Sequence, residues 1–265
     1  MRLCAALVSS LLLTTALAGQ SGGQPSGERA DPHDLSGVWW VAEPGGGKLL
    51  ERGRKGDASK CETCHTPEHT EPEPPLTPWA REHLAISGSS HGGAGTRSAC
   101  ESVGIPSQFW YTQLAPFEFI QLPGRIIQFF ENHREWRTIW LNRGHVASPE
   151  PSYMGDSVGR WEGDTLVVDT VGFNGKSLVE PVGVDHLMSD AFHLVERWRR
   201  TADRIDLDLT YEDKKAWGDR LWGGLKKSYV LQTGMQLMES YCSVEDHAAF
   251  DETFVKPFAQ PRGKP

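Results

Sequence analysis

Residues 205–212 read Ile-Asp-Leu-Asp-Leu-Thr-Tyr-Glu, so Ile205, Leu207, Leu209 and Tyr211 alternate with Asp206, Asp208, Thr210 and Glu212. Successive side chains of a strand point to opposite faces, and this octet therefore predicts a half-buried strand with one face in a core and one in water. Its neighbours read alike. Ala191 to Arg200 is a strand, Asp203-Arg204 sits in the turn after it, and LKKSYVLQ and MQLMESYC close the set. Upstream, FEFIQL from Phe117, a Pro123-Gly124 turn and RIIQFFE form a hairpin, and Glu135–Leu141 is the next strand. Val158-Gly-Arg-Trp161, the turn Glu162-Gly163-Asp164 and TLVVDTVGF make a second hairpin. About eight to ten strands at hairpin spacing, with few helices and no βαβ rhythm, point to an all-β fold, an antiparallel barrel or sandwich. The expected architecture is an antiparallel β-barrel with one short helix and a long N-terminal loop region. A closed barrel removes exposed edges, and its interior can hold one small ligand.

Composition agrees. The 265 residues include 10 Trp, 28 Gly and 17 Pro, large flat side chains among many turn formers. With 38% hydrophobic and 23% charged residues the chain can build a real core. The balance of 27 basic against 35 acidic residues, a formal charge of −8, argues against nucleic acid or an anionic membrane as main partner. No GxGxxG before a helix, P-loop, GxSxG elbow or HExxH occurs in the sequence.

The opening MRLCAALVSSLLLTTALA has an early cation, an apolar run and a small-x-small end at Ala16-Leu17-Ala18, the layout of a cleaved secretory signal over residues 1–18. The run is short for a bilayer span, which needs about 20 residues. No later segment has the length or apolarity to cross a membrane, so the expected location is the periplasm or outside the cell. Residues 19–33 are Gly/Ser/Pro-rich and read as a flexible leader. The barrel domain is expected over 34–242, with an inserted loop region at 43–99 and a polar, Pro-rich tail at 243–265. Within the insertion, Thr77 before Pro78 makes a good helix start. The tail carries Phe250, Phe254 and Phe258 as candidate edge contacts.

At Pro116-Phe-Glu-Phe, at Glu135-Trp-Arg-Thr-Ile-Trp, and above all at SVGRWEGDTLVVDTVGFN (157–174), the chain resembles a large family of exported bacterial proteins, mainly uncharacterised. The likeness spans about half the chain, residues 100–232, and runs on into His186-Leu-Met-Ser-Asp-Ala-Phe-His-Leu-Val-Glu-Arg. It implies a β-rich exported domain and supplies no catalytic residues. DLSGVWW, from Asp34, is similar to the first strand of lipocalin-like (calycin-like) barrels.

Three constellations can carry chemistry. Cys61-Glu-Thr-Cys64-His65 is a CxxCH, the pattern that holds c-type haem through two thiols with the adjacent His65 on iron. Met154, Met188 or a histidine would then be the second axial ligand. A local Cys61–Cys64 disulfide, or a metal knot with His69, fits the same residues. In an oxidising compartment Cys100 and Cys242 are left as a disulfide pair. The histidines His133, His145, His186 and His193 form the second set, with His145, His186 and His193 candidates for zinc, copper or iron at a barrel mouth; lone surface or cap histidines are the plainer explanation.

The third set is charged: Glu131, His133, Arg137 and Glu196 are candidate catalytic residues. Alternation puts Arg137 with Ile139 on one face and Trp136 with Trp140 on the other, so a charge sits on whichever face is buried and needs a partner there. A Glu–Arg pair inside a barrel can orient a polar ligand, act in acid–base chemistry, or simply hold structure. Trp39, Trp40, Trp110, Trp136, Trp140, Trp161 and Trp198 are candidate wall residues. The function expected is an exported barrel that binds a small apolar or aromatic ligand, with an accessory redox role through a covalent haem. The rivals are a metal-dependent lyase or hydratase, a haem-linked oxidoreductase of the periplasm, and a non-catalytic envelope protein presenting loops to a partner.

Overall fold

The structure, a computed structural model, describes residues 30–41, 76–87, 102–112, 114–179 and 188–240. Nine strands run in chain order around a closed barrel: β1 (Gly37–Val41), β2 (Phe117–Leu122), β3 (Arg125–Phe130), β4 (Trp136–Trp140), β5 (Asp156–Glu162), β6 (Thr165–Val171), β7 (Phe192–Thr201), β8 (Arg204–Asp213) and β9 (Leu221–Leu231). Trp39 pairs with Leu231, so β9 closes on β1. The all-β barrel read from the sequence is the fold observed.

One feature of that reading changes. Every neighbouring pair is antiparallel except β4 and β5, which run parallel through Ile139↔Ser157 and Trp140↔Val158. The reason is parity. A ring of strands that alternate in direction closes only with an even number, so a nine-stranded ring must contain a parallel pair. Residues 141–155 make the return crossover that the parallel pair demands.

The two ends of the barrel differ. One carries the two-residue turns Pro123-Gly124, Gly163-Asp164 and Ala202-Asp203, with Gly124 (φ 76°) and Gly163 (φ 58°) supplying the positive φ such turns need, together with the entry to β1, the exit from β9 and the start of the 141–155 crossover. At the other end emerge the long connections 42–116, 131–135, 172–191 and 214–220. These hold α1 (Pro78–Ser87), α2 (Ser107–Tyr111), a 3-10 turn (Asn132–Arg134) and α3 (Lys214–Trp217), more helix than the single one expected. Thr77 does cap α1, its Oγ1 accepting from Ala80 N at 3.2 Å, and its N–H joins the helix to α3 through the Ala216 carbonyl at 2.9 Å. MQLMESYC is not a last strand: residues 235–240 run outside the barrel, because β9 has already closed on β1 and left no edge to pair with.

Ile205, Leu207, Leu209 and Tyr211 are all buried, as their alternation requires. They join a core centred on Trp198, whose ring lies 5.2–6.0 Å from those of Phe109, Phe117, Phe119 and Tyr229. Phe109 comes from α2, which therefore plugs the loop-bearing end. Of the tryptophans proposed as wall, Trp39, Trp110 and Trp198 are buried. Trp40, Trp136 and Trp140 instead fall on the outward positions of β1 and β4, and Trp136 is 57% exposed.

Candidate functional site

β4 must present Arg137 inward because Ile139, two residues on, belongs to the core. On β7 the same logic turns Glu196 inward between Leu194 and Trp198. The two side chains meet inside the barrel in a bidentate pair, Nη1 to Oε1 and Nη2 to Oε2, both at 2.6 Å and both essentially inaccessible to water. Arg137 reaches Glu196 past β5 and β6, so the pair forms a bar across the lumen. Arg137 Nε donates to Gln128 Oε1 at 2.8 Å, and Nη1 donates to Ser157 Oγ at 3.4 Å, which in turn lies 2.9 Å from Thr170 Oγ1. Trp198 Nε1 donates to Glu196 Oε2 at 2.8 Å, and the Phe109 ring lies 5.5 Å from the guanidinium carbon.

Gln128 is fully buried, and its Nε2 has no hydrogen-bond partner among the described residues. The amide's orientation is fixed by its neighbour: arginine Nε–H can only donate, so the atom facing it must be the oxygen. Two N–H donors therefore project into the interior beside the bar. A second inward cation, Lys227, is buried with its Nζ 4.7 Å from the Trp110 ring. Consecutive aromatics of α2, Phe109 and Trp110, thus each cover an interior cation.

α2 is fastened by polar hooks. The Glu135 carboxylate accepts from Val103 N at 2.8 Å, Gly104 N at 3.2 Å and Gln108 Nε2 at 2.6 Å. Ser107 Oγ donates to the Leu178 carbonyl at 2.6 Å, Trp110 Nε1 donates to Val179 O at 3.1 Å, and Ser177 Oγ donates to Val103 O.

Glu131 and His133 do not join Arg137 and Glu196. Glu131 accepts from Met238 N at 2.7 Å outside the barrel, and His133 sits on the 3-10 turn with φ 58°, its ring 6.3 Å from Tyr111.

The histidines His145 and His193 do come together, on the outer wall near the loop-bearing end, where both flank Asp169. His145 Nε2 lies 2.8 Å from Asp169 Oδ1 and His193 Nε2 lies 3.0 Å from Oδ2. The chain extends both ways: His145 Nδ1 is 3.0 Å from Asp156 Oδ2, Arg143 pairs with Asp156 at 2.5 Å, and His193 Nδ1 lies 3.4 Å from Glu212. Hydrogen bonding to Asp169 raises the His193 pKa above the ordinary imidazole value. The same bond, with a lesser one from His145, lowers Asp169 below the usual carboxylate range against the opposing cost of burial. Asp156 is lowered chiefly by Arg143.

Every ring nitrogen of both histidines faces a carboxylate oxygen. The two side chains belong to a polar chain that ties the 141–155 crossover to β5–β8. Among the described residues no group of three or more His, Cys, Asp or Glu side chains is placed to hold a metal ion. His186, Cys61, Cys64, His65, Cys100 and Cys242 lie outside the described residues.

Arg137 and Glu196 stand out in the sequence as charges, whereas Gln128, Ser157 and Thr170 do not. Their signal was present: Gln128 falls between Ile126 and Phe130 on the inward positions of β3, and Ser157 faces Thr170 across the hairpin. Asp156 and Asp169 were missed because outward carboxylates look alike until the crossover lays His145 beside them.

The fold and site together define a closed, plugged β-barrel with a polar bar in an aromatic lumen. No protein-family model matches the chain, and no curated protein matches it.

Proposed function

We propose that this protein is an exported barrel that binds a small apolar or aromatic molecule carrying one hydrogen-bond acceptor, such as a carbonyl oxygen. The observation that carries this reading is the Gln128 amide, fully buried, pinned by Arg137, and offering donors with no acceptor among the described residues. A buried donor left unmade costs about 1–3 kcal/mol, which a ligand oxygen would recover. An aromatic wall with a few placed polar groups is the usual chemistry of a small-molecule site. The barrel's asymmetry supports access from the loop-bearing end, where side-chain hydrogen bonds hold α2. The signal-like residues 1–18 support export, and the SVGRWEGDTLVVDTVGF block supports membership of the exported β-rich family it resembles.

Thermal-shift and tryptophan-fluorescence titrations test this with aromatic ketones set against hydrocarbons of the same shape. The ketones are expected to bind about tenfold tighter, worth roughly 1.4 kcal/mol, and Gln128→Leu is expected to erase that preference. Equal binding of both series, or a preference that survives Gln128→Leu, overturns the assignment.

The CETCH segment supports a second, accessory role, since two thiols two residues apart followed by histidine is the attachment chemistry of c-type haem. The metal-dependent lyase or hydratase reading is less favoured, because His145 and His193 already face carboxylates with both ring nitrogens.

A further inference from the structure

The outer face of β2, β3 and β4 is apolar. Register sets Glu118, Phe129 and Trp136 in one row across the three strands, Ile120, Ile127 and Thr138 in the next, and Leu122, Arg125 and Trp140 in the third. The residues between them on each strand, Phe119, Gln128 and Arg137 among them, are buried apart from the half-buried Gln121, so these nine face outward. Six of the nine are large hydrophobics. Leu114 and Met238, 66% and 73% exposed, border the first row: Glu131 N donates to Pro116 O, and Met238 N donates to Glu131 Oε2. Leu114, Ile120, Trp136 and Met238 thus gather on one side of the barrel, leaving only Val146 and Leu221 elsewhere among the exposed large hydrophobics described. Scattered exposed apolar residues need no explanation, but a contiguous face marks something that covers it.

The course of the chain identifies the cover. Gln232 N bonds the Val38 carbonyl on β1, and six residues later Met238 is held at Glu131, just past β3. The chain has therefore crossed the outside of the barrel from β1 to β3 and arrives at the edge of the apolar face. Twenty-five residues follow Ser240, and in a largely polar stretch they place Phe250, Phe254 and Phe258 at a four-residue repeat. Ten residues separate Ser240 from Phe250 and span up to about 33 Å when extended. The three rows cover only about 13 Å along the strands, so reach is no obstacle.

We propose that residues 241–258 dock on the outer face of β2–β4, with Phe250, Phe254 and Phe258 covering Trp136, Ile120 and their row neighbours. The tail is then part of the folded unit, and the face is closed to other partners while it is seated.

Hydroxyl-radical labelling of the full-length protein, read by mass spectrometry at Trp136, tests the docking. Trp136 is expected to label several-fold faster in the Phe250→Ser/Phe254→Ser/Phe258→Ser variant than in the parent chain, with labelling at Leu221 unchanged as an internal control. In the reciprocal variant Trp136→Glu, chymotrypsin is expected to cut after Phe254 several-fold faster, a readout independent of whether the triple variant folds. Equal Trp136 labelling in the parent and a folded triple variant overturns the proposal, and so does unchanged cleavage in Trp136→Glu. Protection of Trp136 that grows with protein concentration assigns the face to a second copy of the chain and likewise overturns it.

Discussion

Replacing Glu196 by Gln keeps the side chain's volume but removes its charge, leaving the Arg137 guanidinium buried without its counter-charge. In the parent chain that guanidinium makes two 2.6 Å bonds to the carboxylate, and the carboxylate also anchors Trp198, the centre of the aromatic core. Breaking a buried pair from one side costs about 3–5 kcal/mol, because the remaining charge has already lost its water. Both partners are nearly inaccessible, so solvent screening gives no relief. Against a total stability of about 5–15 kcal/mol the loss is large. At about 2–4 °C per kcal/mol for a domain of this size, the midpoint should fall by roughly 6–20 °C.

Urea unfolding followed by tryptophan fluorescence measures the cost, with the double variant Arg137→Met/Glu196→Leu as its control. Removing both charges strands no charge, although Trp198 Nε1 and Gln128 Oε1 lose their partners, so the double variant should lie within about 1–3 kcal/mol of the parent. A loss under about 1 kcal/mol in Glu196→Gln would sink the picture of a dry lumen-spanning pair. So would a double variant as unstable as the two single variants added together, since the cycle would then show no coupling.

Other perturbations probe other parts of the molecule. The Asp156–His145–Asp169–His193–Glu212 chain should make stability pH-dependent on both sides. The raised His193 pKa contributes stability that is complete below the ordinary imidazole value and is lost as pH rises through the higher folded value. The lowered Asp169 and Asp156 contribute stability that is present above the ordinary carboxylate range and is lost as pH falls through their depressed values. The optimum for this chain therefore lies between about pH 4 and pH 6.5. Unfolding at several pH values should show the alkaline decline flatten in His193→Gln, by under about 1 kcal/mol for so exposed a network.

Gly159→Ala should cost about 1–3 kcal/mol by overpacking, because its Cβ would meet Ile139 and Leu141 at 2.9 Å and Leu166 at 3.2 Å. Thermal denaturation that leaves this variant as stable as the parent would show the lumen to be looser there. If CETCH carries haem, protein exported from a host competent for haem attachment should be red and show a covalent mass increment that Cys61→Ser/Cys64→Ser abolishes. An unmodified intact mass rules the haem out.

Period-two alternation made most of the barrel legible, because one buried face is all a strand needs to declare itself. Ile205 to Glu212 and the two hairpins fall where the pattern put them. What alternation cannot convey is closure. MQLMESYC alternates well enough for a strand, yet Trp39↔Leu231 had already used the last edge. The parallel β4–β5 step follows from an odd strand count, and no local pattern distinguishes nine strands from eight or ten. The site divides along the same line. Arg137 announces itself as a charge on a buried face, but its partner lies 59 residues away and is chosen only when β4 and β7 become facing walls. His145 reaches Asp169 only because the parallel step forces a crossover along the outer wall. In a closed barrel, alternation decides which side chains point inward, while strand number and closure decide which of them meet. Chemistry carried by residues on opposite walls must therefore be read from the ring, whereas chemistry within one hairpin, such as Ser157 beside Thr170, can be read from the sequence.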